Sequence, residues 1–348
     1  MSPQKLIETY VNELGLDVIE RTYKLKVNRY LDKNLYVLNY SNRSTCQSDP
    51  VVDQCRGVIL SYDDKTEKYF VVCRPFNRFF SHIYQKQNGK HVFNSFNANF
   101  DFSLPFNVYE KVDGSLMKIY HFNGRWEIGS KQTAFAEGPL FNTSVGSTYS
   151  DLAIKTFGLK DYEEFQEMMK DQRTDLTYMV EMIGPENKII MEYKKPEMVF
   201  LSAMDTKRAV EVKIDTFPNS RLPILYDSDV LLNHVHMRMS YFNEWFSKIG
   251  TDEGFVIVNG NGVKAKYKNP KYLKLCTQPK PRIEKPKRSL SKRVFGALIR
   301  LDPPEEHKAE YERELKKILQ FDPTFLMTDN KSRQTSLLLF LKKNEKCT

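Results

Sequence analysis

The chain has 348 residues, of which 53 are Lys or Arg and 44 Asp or Glu, for a formal net charge of +9; 41% are hydrophobic and 13% aromatic. That apolar content excludes a disordered or fibrous chain, and no run approaches the ~18–20 apolar residues that a bilayer span needs. The length predicts two domains or one large domain with an appendage, and the basic balance points to a polyanionic partner.

Five cysteines, at 46, 55, 73, 276 and 347, show neither metal-ligand spacing nor an even disulfide framework. Residues 1–8 lack the apolar core of a secretion signal. Together these features predict an intracellular protein, cytoplasmic first and nuclear second, with no membrane partner.

Taken in chain order, residues 5–16 space Leu6, Ile7, Tyr10, Val11, Leu14 and Leu16 as one amphipathic helix. From about residue 20 the pattern becomes short strands. Residues 56–62 and 68–73 form a hairpin across Asp63-Asp64. Residues 115–122 and 125–130 form a second, across Asn123-Gly124, a dipeptide whose tolerance of positive φ suits a type I′ turn. Residues 161–170 read as a helix, and 176–183, 188–193 and 198–204 as strands. A helix is expected within 231–249. A third hairpin pairs 254–258 with 263–267 across Asn259-Gly260-Asn261-Gly262.

Composition shifts near residue 277. Pro279, Pro281 and Pro286 alternate with Lys280, Arg282, Lys285, Lys287 and Arg288, a Pro-stiffened basic linker suited to phosphate-backbone contact. Pro303-Pro304-Glu305-Glu306 opens a charged helix to about Gln320, and 336–343 a last one. The organisation expected is therefore a body over 1–276, a linker over 277–300 and a small helical region over 301–348. The body should be α+β, antiparallel sheets flanked by helices.

One constellation carries chemistry. Lys111 precedes an Asp113-Gly114 turn between two apolar strands. Lys-x-Asp-Gly alone reads as a hairpin turn with a solvated lysine. Downstream, Glu181 sits inside the apolar run 178–183, where a carboxylate needs a cationic, metal or hydroxyl partner. Glu253 stands at the mouth of a strand. Lys264 and Lys266 alternate on the next, so period 2 turns both to one face, opposite Glu253. An amine of ordinary pKa is protonated at neutral pH and cannot attack, but nearby cations depress that pKa and also neutralise phosphate oxygens. A lysine nucleophile with two carboxylates and paired lysines suits phosphate chemistry.

At these residues the sequence resembles the covalent nucleotidyltransferase superfamily of ATP-dependent RNA and DNA ligases and mRNA capping enzymes, and within it the phage-type RNA ligase 1 family. Lys111-Val112-Asp113-Gly114-Ser115 matches the nucleotide-accepting lysine motif. Glu181, Glu253-Gly254-Phe255-Val256 and Lys264-Ala265-Lys266-Tyr267 match the third, fourth and fifth motifs. Cys55-Arg56-Gly57-Val58, the segment 74–80 and Ser130-Lys131 favour the RNA ligase 1 branch. The likeness spans about residues 50–276 in six ordered blocks. Arg78 stands where that branch has a lysine, and the two are not equivalent on phosphate. No downstream segment is long and β-rich enough for the oligonucleotide-binding barrel of DNA ligases and capping enzymes.

The resemblance implies an ATP-grasp-like ligase domain and three steps through lysyl-AMP and an adenylylated RNA 5′ end. It also implies ATP with Mg²⁺ or Mn²⁺ as cofactors. As substrates it implies RNA 5′-phosphate and 3′-hydroxyl ends, cleaved tRNA among them, acted on by a monomer. Lys111 would be the nucleophile, with Lys264 and Lys266 on the α-phosphate. Arg56, Arg78 and Lys131 would hold phosphates, and Phe80 would stack on adenine. Gly114 would allow close approach, Glu181 would meet ribose or metal, and Glu253 would support a metal's water shell. A GTP-using capping guanylyltransferase and a non-catalytic RNA-binding protein on a ligase fold are the alternatives.

Overall fold

The computed structural model describes residues 5–45, 48–87, 90–95, 104–138, 148–226 and 252–277, together with Arg313. The chain divides into two units, Met1–Thr277 and Gln278–Thr348, and every element named below belongs to the first. The helix expected within 231–249, most of the basic linker and the helices expected beyond Pro303 lie outside the described residues.

The opening helix is two: α1 (Ile7–Leu14) and α2 (Leu16–Tyr23), broken at Gly15. Next come β1 (Lys26–Tyr30), β2 (Leu35–Asn39), β3 (Arg56–Asp63) and β4 (Lys68–Cys73), which pair antiparallel in that order. Ile7, Val11, Leu16 and Ile19 of the helices bury against Leu38, Val58 and Leu60. Each such side chain contributes roughly 1.5–3 kcal/mol.

β5 (Phe80–Gln87), β6 (Lys90–Ser95) and β7 (Phe106–Glu110) precede the hairpin of β8 (Ser115–Phe122) and β9 (Arg125–Ser130). Asn123 and Gly124 take φ of 50° and 79°, both positive as a type I′ turn requires. α3 (Tyr149–Thr156) starts from a Thr148–Asp151 capping box. In α4 (Tyr162–Met169) the Asp161 carboxylate accepts from the amides of Glu163 and Glu164, which satisfies two otherwise unpaired donors. Then follow β10 (Leu176–Ile183), β11 (Glu197–Asp205), β12 (Glu211–Val212), β13 (Leu225–Tyr226), β14 (Gly254–Asn259), β15 (Lys264–Lys268) and α5 (Pro270–Thr277).

A second sheet runs β12-β11-β10-β8-β9 and a third β13-β7-β14-β15-β5-β6. The expected antiparallel pairing holds apart from β15 and β5, which are parallel. The largest core lies over the second sheet, where Trp126, Phe157, Phe165, Tyr178, Phe200 and Phe217 pack together with α3 and α4. Residues 188–193 are not the strand their β-branched and aromatic content predicts; after a short 3-10 turn they bend. The cause is distant: the amides of Ile190 and Met191 donate to the Asp113 carboxylate at 2.9 and 2.8 Å. Among the described residues no helix is long and apolar enough to cross a membrane.

One feature of the topology decides where chemistry can sit. β7 belongs to the third sheet and β8 to the second, so residues 111–114 carry the chain from one sheet to the other. Arg221 ties the same two sheets, bonding Glu110 of β7 and Glu197 of β11, each at 2.9 Å.

Candidate active site

Lys111 lies at the start of that crossing. Its amide donates to the Gly254 carbonyl at 3.0 Å, and its Nζ to Glu253 Oε2 at 2.6 Å. Glu253 is only 4% exposed, and its other oxygen, Oε1, meets Lys268 Nζ at 2.8 Å. The β14–β15 register, with Gly254 opposite Lys268, makes this possible. Lys268 continues the alternation of Lys264 and Lys266, and sequence reading stopped one step short of it. Lys264, expected to face Glu253, instead bonds Glu211 and has its amine 5.7 Å from the Phe76 ring centroid. It sits at the far end of β15.

Asp113 is buried and fully engaged. Besides the two amides on Oδ2, its Oδ1 accepts from the Tyr272 hydroxyl of α5 at 2.7 Å, and its own amide donates to the Tyr193 hydroxyl at 3.0 Å. The Gly114 amide donates to Glu181 Oε1 at 3.2 Å. The acid of the motif therefore fastens the crossing to α5 and to the 188–193 bend.

A cavity of about 550 Å³ opens beside Lys111; Arg56, Phe76, Phe79, Lys131 and Glu181 are among its walls. That volume lies in the range of small-molecule sites. The Arg56 guanidinium lies 4.5 Å from the Phe76 ring centroid, and its Nη1 is buried with no hydrogen-bond partner. Burial lowers its pKa. Arg56 lines the cavity, and a buried donor without a partner is suited to an anion that reaches it, because an incoming oxygen would relieve its desolvation. Burial also pushes the Glu181 carboxyl up to about 7, against the opposing pull of Lys111 and Arg56.

Tyr40 is a neighbour that sequence reading missed, since nothing local marks it. Lys131 Nζ stands 4.4 Å from its ring centroid and donates to its hydroxyl at 3.2 Å; Arg78 lies 5.1 Å from the same ring. Burial raises the Tyr40 phenol, but Lys131, Arg56 and Arg78 outweigh it and leave the phenol below its ordinary value. Arg78 is itself held by Asp53 at 2.8 Å and by the Thr45 carbonyl at 2.9 Å. Phe80, whose ring lies 4.6 Å from Arg78, pairs with Ala265 on the buried side of β15. Phe79 is the ring on the lysine side, with Lys266 Nζ 5.1 Å from its centroid.

Burial first, and then the charges of Lys111, Arg56 and Lys268, push the Lys266 ammonium down from 10.5 to about 7. Between those values the unfolded chain holds a proton that the folded chain has released. Stability therefore falls as pH drops from 10.5 towards 7, and the penalty is complete below about 7. Lys266→Met should raise the melting temperature by roughly 5 °C at pH 6–7, with the gain fading as pH rises. Thermal melts of both proteins from pH 6 to 10 check this; a gain independent of pH would assign the effect to packing.

Glu181 and Glu253 do not fit a resident metal ion as direct ligands. Glu253 gives both oxygens to lysines, and Glu181 accepts the Gly114 amide on Oε1 from a buried position that disfavours its charged form. Among the described residues no group of three or more His, Cys, Asp or Glu side chains converges.

Residues 54–272 match the model of a family described as RNA ligase. A protein of Autographa californica nuclear polyhedrosis virus, provisionally named a bifunctional polynucleotide kinase/RNA ligase, is 28% identical over 260 residues, covering 73% of this chain and 35% of the viral one. An RNA ligase of Rhodothermus phage RM378 is 26% identical over 185 residues, covering 48% of this chain and 40% of its own. Among solved structures, an archaeal ATP-dependent RNA ligase aligns with a TM-score of 0.45 at 14% identity, over 89% of this chain and 78% of that one. The chain thus spans between about a third and two fifths of the length of the curated relatives it matches.

Proposed function

Because the chain belongs to the RNA ligase family, we propose that it joins RNA 5′-phosphate and 3′-hydroxyl ends with ATP, through a lysyl-AMP intermediate on Lys111. The observation that carries the reading is the Lys111 amine, fixed by Glu253 at 2.6 Å beside a cavity walled by Arg56 with its unpaired donor.

In the first step the Lys111 amine, having given up a proton, attacks the α-phosphorus of ATP. An N–P bond forms, the P–O bond to pyrophosphate breaks, and pyrophosphate leaves with the electron pair. The AMP then passes to an oxygen of the RNA 5′-phosphate, returning Lys111 as a free amine. Lastly the RNA 3′-hydroxyl attacks that phosphate, loses its proton and expels AMP. Lys266 would bind an α-phosphate oxygen, and Arg56 and Lys131 the remaining phosphates, as donors already in place for the charge that develops there. Phe76 and Phe79 offer the apolar wall for the base that the sequence alone assigned to Phe80. A divalent ion, Mg²⁺ or Mn²⁺, carried on the triphosphate would neutralise its oxygens. Cleaved tRNA is the RNA substrate that this reading favours, with the protein acting as a monomer.

Incubation with labelled ATP or labelled GTP, followed by denaturing electrophoresis, tests the reading. Covalent label from ATP alone supports it. Label from GTP alone would favour a capping guanylyltransferase, and label from neither a non-catalytic RNA-binding protein.

A further inference from the structure

Lys118 is fully buried, in the middle of β8, with Met179 of β10 on one side and Gly129 of β9 on the other. A lysine there gains nothing for the core, since an ammonium in apolar surroundings is costly unless it has partners. Its Nζ donates to the Gly57 carbonyl at 2.6 Å.

The side chain is threaded between two glycines. A Cβ on Gly57 would lie 3.2 Å from Lys118 Nζ, and one on Gly129 3.2 Å from Lys118 Cε. Gly57 has φ +90°, and its Cβ position is also only 2.4 Å from the Lys131 carbonyl oxygen. The backbone that Lys118 grips is therefore the residue after Arg56, packed directly on the backbone of Lys131. Both neighbours carry cations to the cavity wall. Arg56 Nη1 has no hydrogen bond of its own, so its guanidinium is aimed by the backbone, the Phe76 ring and the charges of Tyr40 and Glu181.

We propose that Lys118 is a positioning residue: its amine clamps the Gly57 carbonyl and thereby aims Arg56 at the phosphate-bearing end of the ligand. The proposal rests on the ligase reading for the identity of that ligand. It rests on geometry alone for the clamp. Burial brings the Lys118 amine down to about 8, with Cys73, Arg56 and Glu137 the titratable or charged groups that act on it. It therefore remains mainly a charged donor at neutral pH.

The test is a double-mutant cycle on the full-length protein with Lys118→Met, Arg56→Ala and the pair. Lys118→Met keeps the stem and removes the amine. Two quantities are read: the affinity for inorganic pyrophosphate, by calorimetry, and the KM for ATP against the saturated rate of lysyl-AMP formation. Each single variant should weaken pyrophosphate and raise KM about tenfold, the scale of one hydrogen bond to a charged group. The double variant should be no worse than Arg56→Ala, because the amine acts through the guanidinium. The saturated rate of Lys118→Met should stay near that of wild type. Additive losses, or unchanged pyrophosphate affinity in Lys118→Met, would overturn the clamp. If Lys118→Met fails to fold, Lys118→Gln, whose shorter neutral side chain cannot reproduce the ammonium contact, enters the same cycle, and coupling or its absence is read in the same way. Failure of the ligase reading would appear separately, as wild-type protein that binds pyrophosphate yet forms no adduct with ATP.

Discussion

Lys111→Ala should leave no AMP adduct when the protein is incubated with ATP and Mg²⁺ and weighed intact, a loss of at least about 10⁴-fold relative to wild type. A covalent intermediate has no substitute for its nucleophile, because orientation and bond formation are lost with the same atom. The nearest stand-ins are Lys266 and Lys268. Lys268 is committed to Oε1 of Glu253, and Lys266 has its amine over the Phe79 ring. The substitution should not unfold the chain. Lys111 is partly exposed, and Glu253 keeps Lys268 as counter-charge when Lys111 is gone, so no buried carboxylate is left bare. A melting temperature near that of wild type, with no adduct, is the expected pair of results. An adduct on Lys111→Ala, located by peptide mapping at Lys266 or Lys268, would move the nucleophile and sink the assignment.

The parts of this fold that were legible in the sequence are those decided by neighbours in the chain. The β8–β9 hairpin and β10 have the ends predicted for them, because Asn123-Gly124 fixes a turn locally and 176–183 is a bounded apolar run. β1 and β2 fall where short strands are expected from about residue 20 but take no bounds from the sequence, although β2 is almost wholly buried; its five residues are too few to show a period. α3 was missed too, although Thr148 and Asp151 form a capping box that a scan for helix starts would register. The 188–193 bend was misread because its conformation is set by Asp113, some 77 residues away. The site divides in the same manner. Lys111, Glu181, Glu253 and Lys266 were named from motifs, and the structure brings Lys111 and Glu253 into contact across 142 residues. What no motif supplied is their partners. Lys268 rather than Lys264 holds Glu253, Asp53 occupies Arg78, and Tyr40 gathers cations from β3, the segment before β5 and the end of β9. Those pairings depend on sheet register, which local composition does not encode.

Gly114→Ala should disable adenylylation nearly as completely, by a different route. Gly114 closes the crossing that begins at Lys111, and a Cβ there would stand 2.3 Å from the Met182 carbonyl oxygen, 2.7 Å from Ile183 Cγ2 and 3.0 Å from Glu181 Cγ. The first of these is backbone of a central strand, paired on both sides by β8 and β11, and cannot yield as a flexible side chain would. The crossing must move instead. It then lengthens the 3.2 Å bond from the Gly114 amide to Glu181 and pulls on Asp113, whose carboxylate is fixed at three points. Lys111 is three residues away on the same short segment. A displacement on the order of 1 Å at a nucleophile costs about 10²-fold in rate. Overpacking of this kind costs ~1–3 kcal/mol, a fall of roughly 3–10 °C in melting temperature for a domain of this size. The control is Gly124→Ala, where a Cβ meets nothing within 4 Å; φ of +79° strains that variant too, but far from the cavity. Both variants should melt lower, and only Gly114→Ala should lose the AMP adduct. If the two lose adduct in proportion to their melting temperatures, general destabilisation is the cause, and the crossing between the sheets is not what sets the nucleophile.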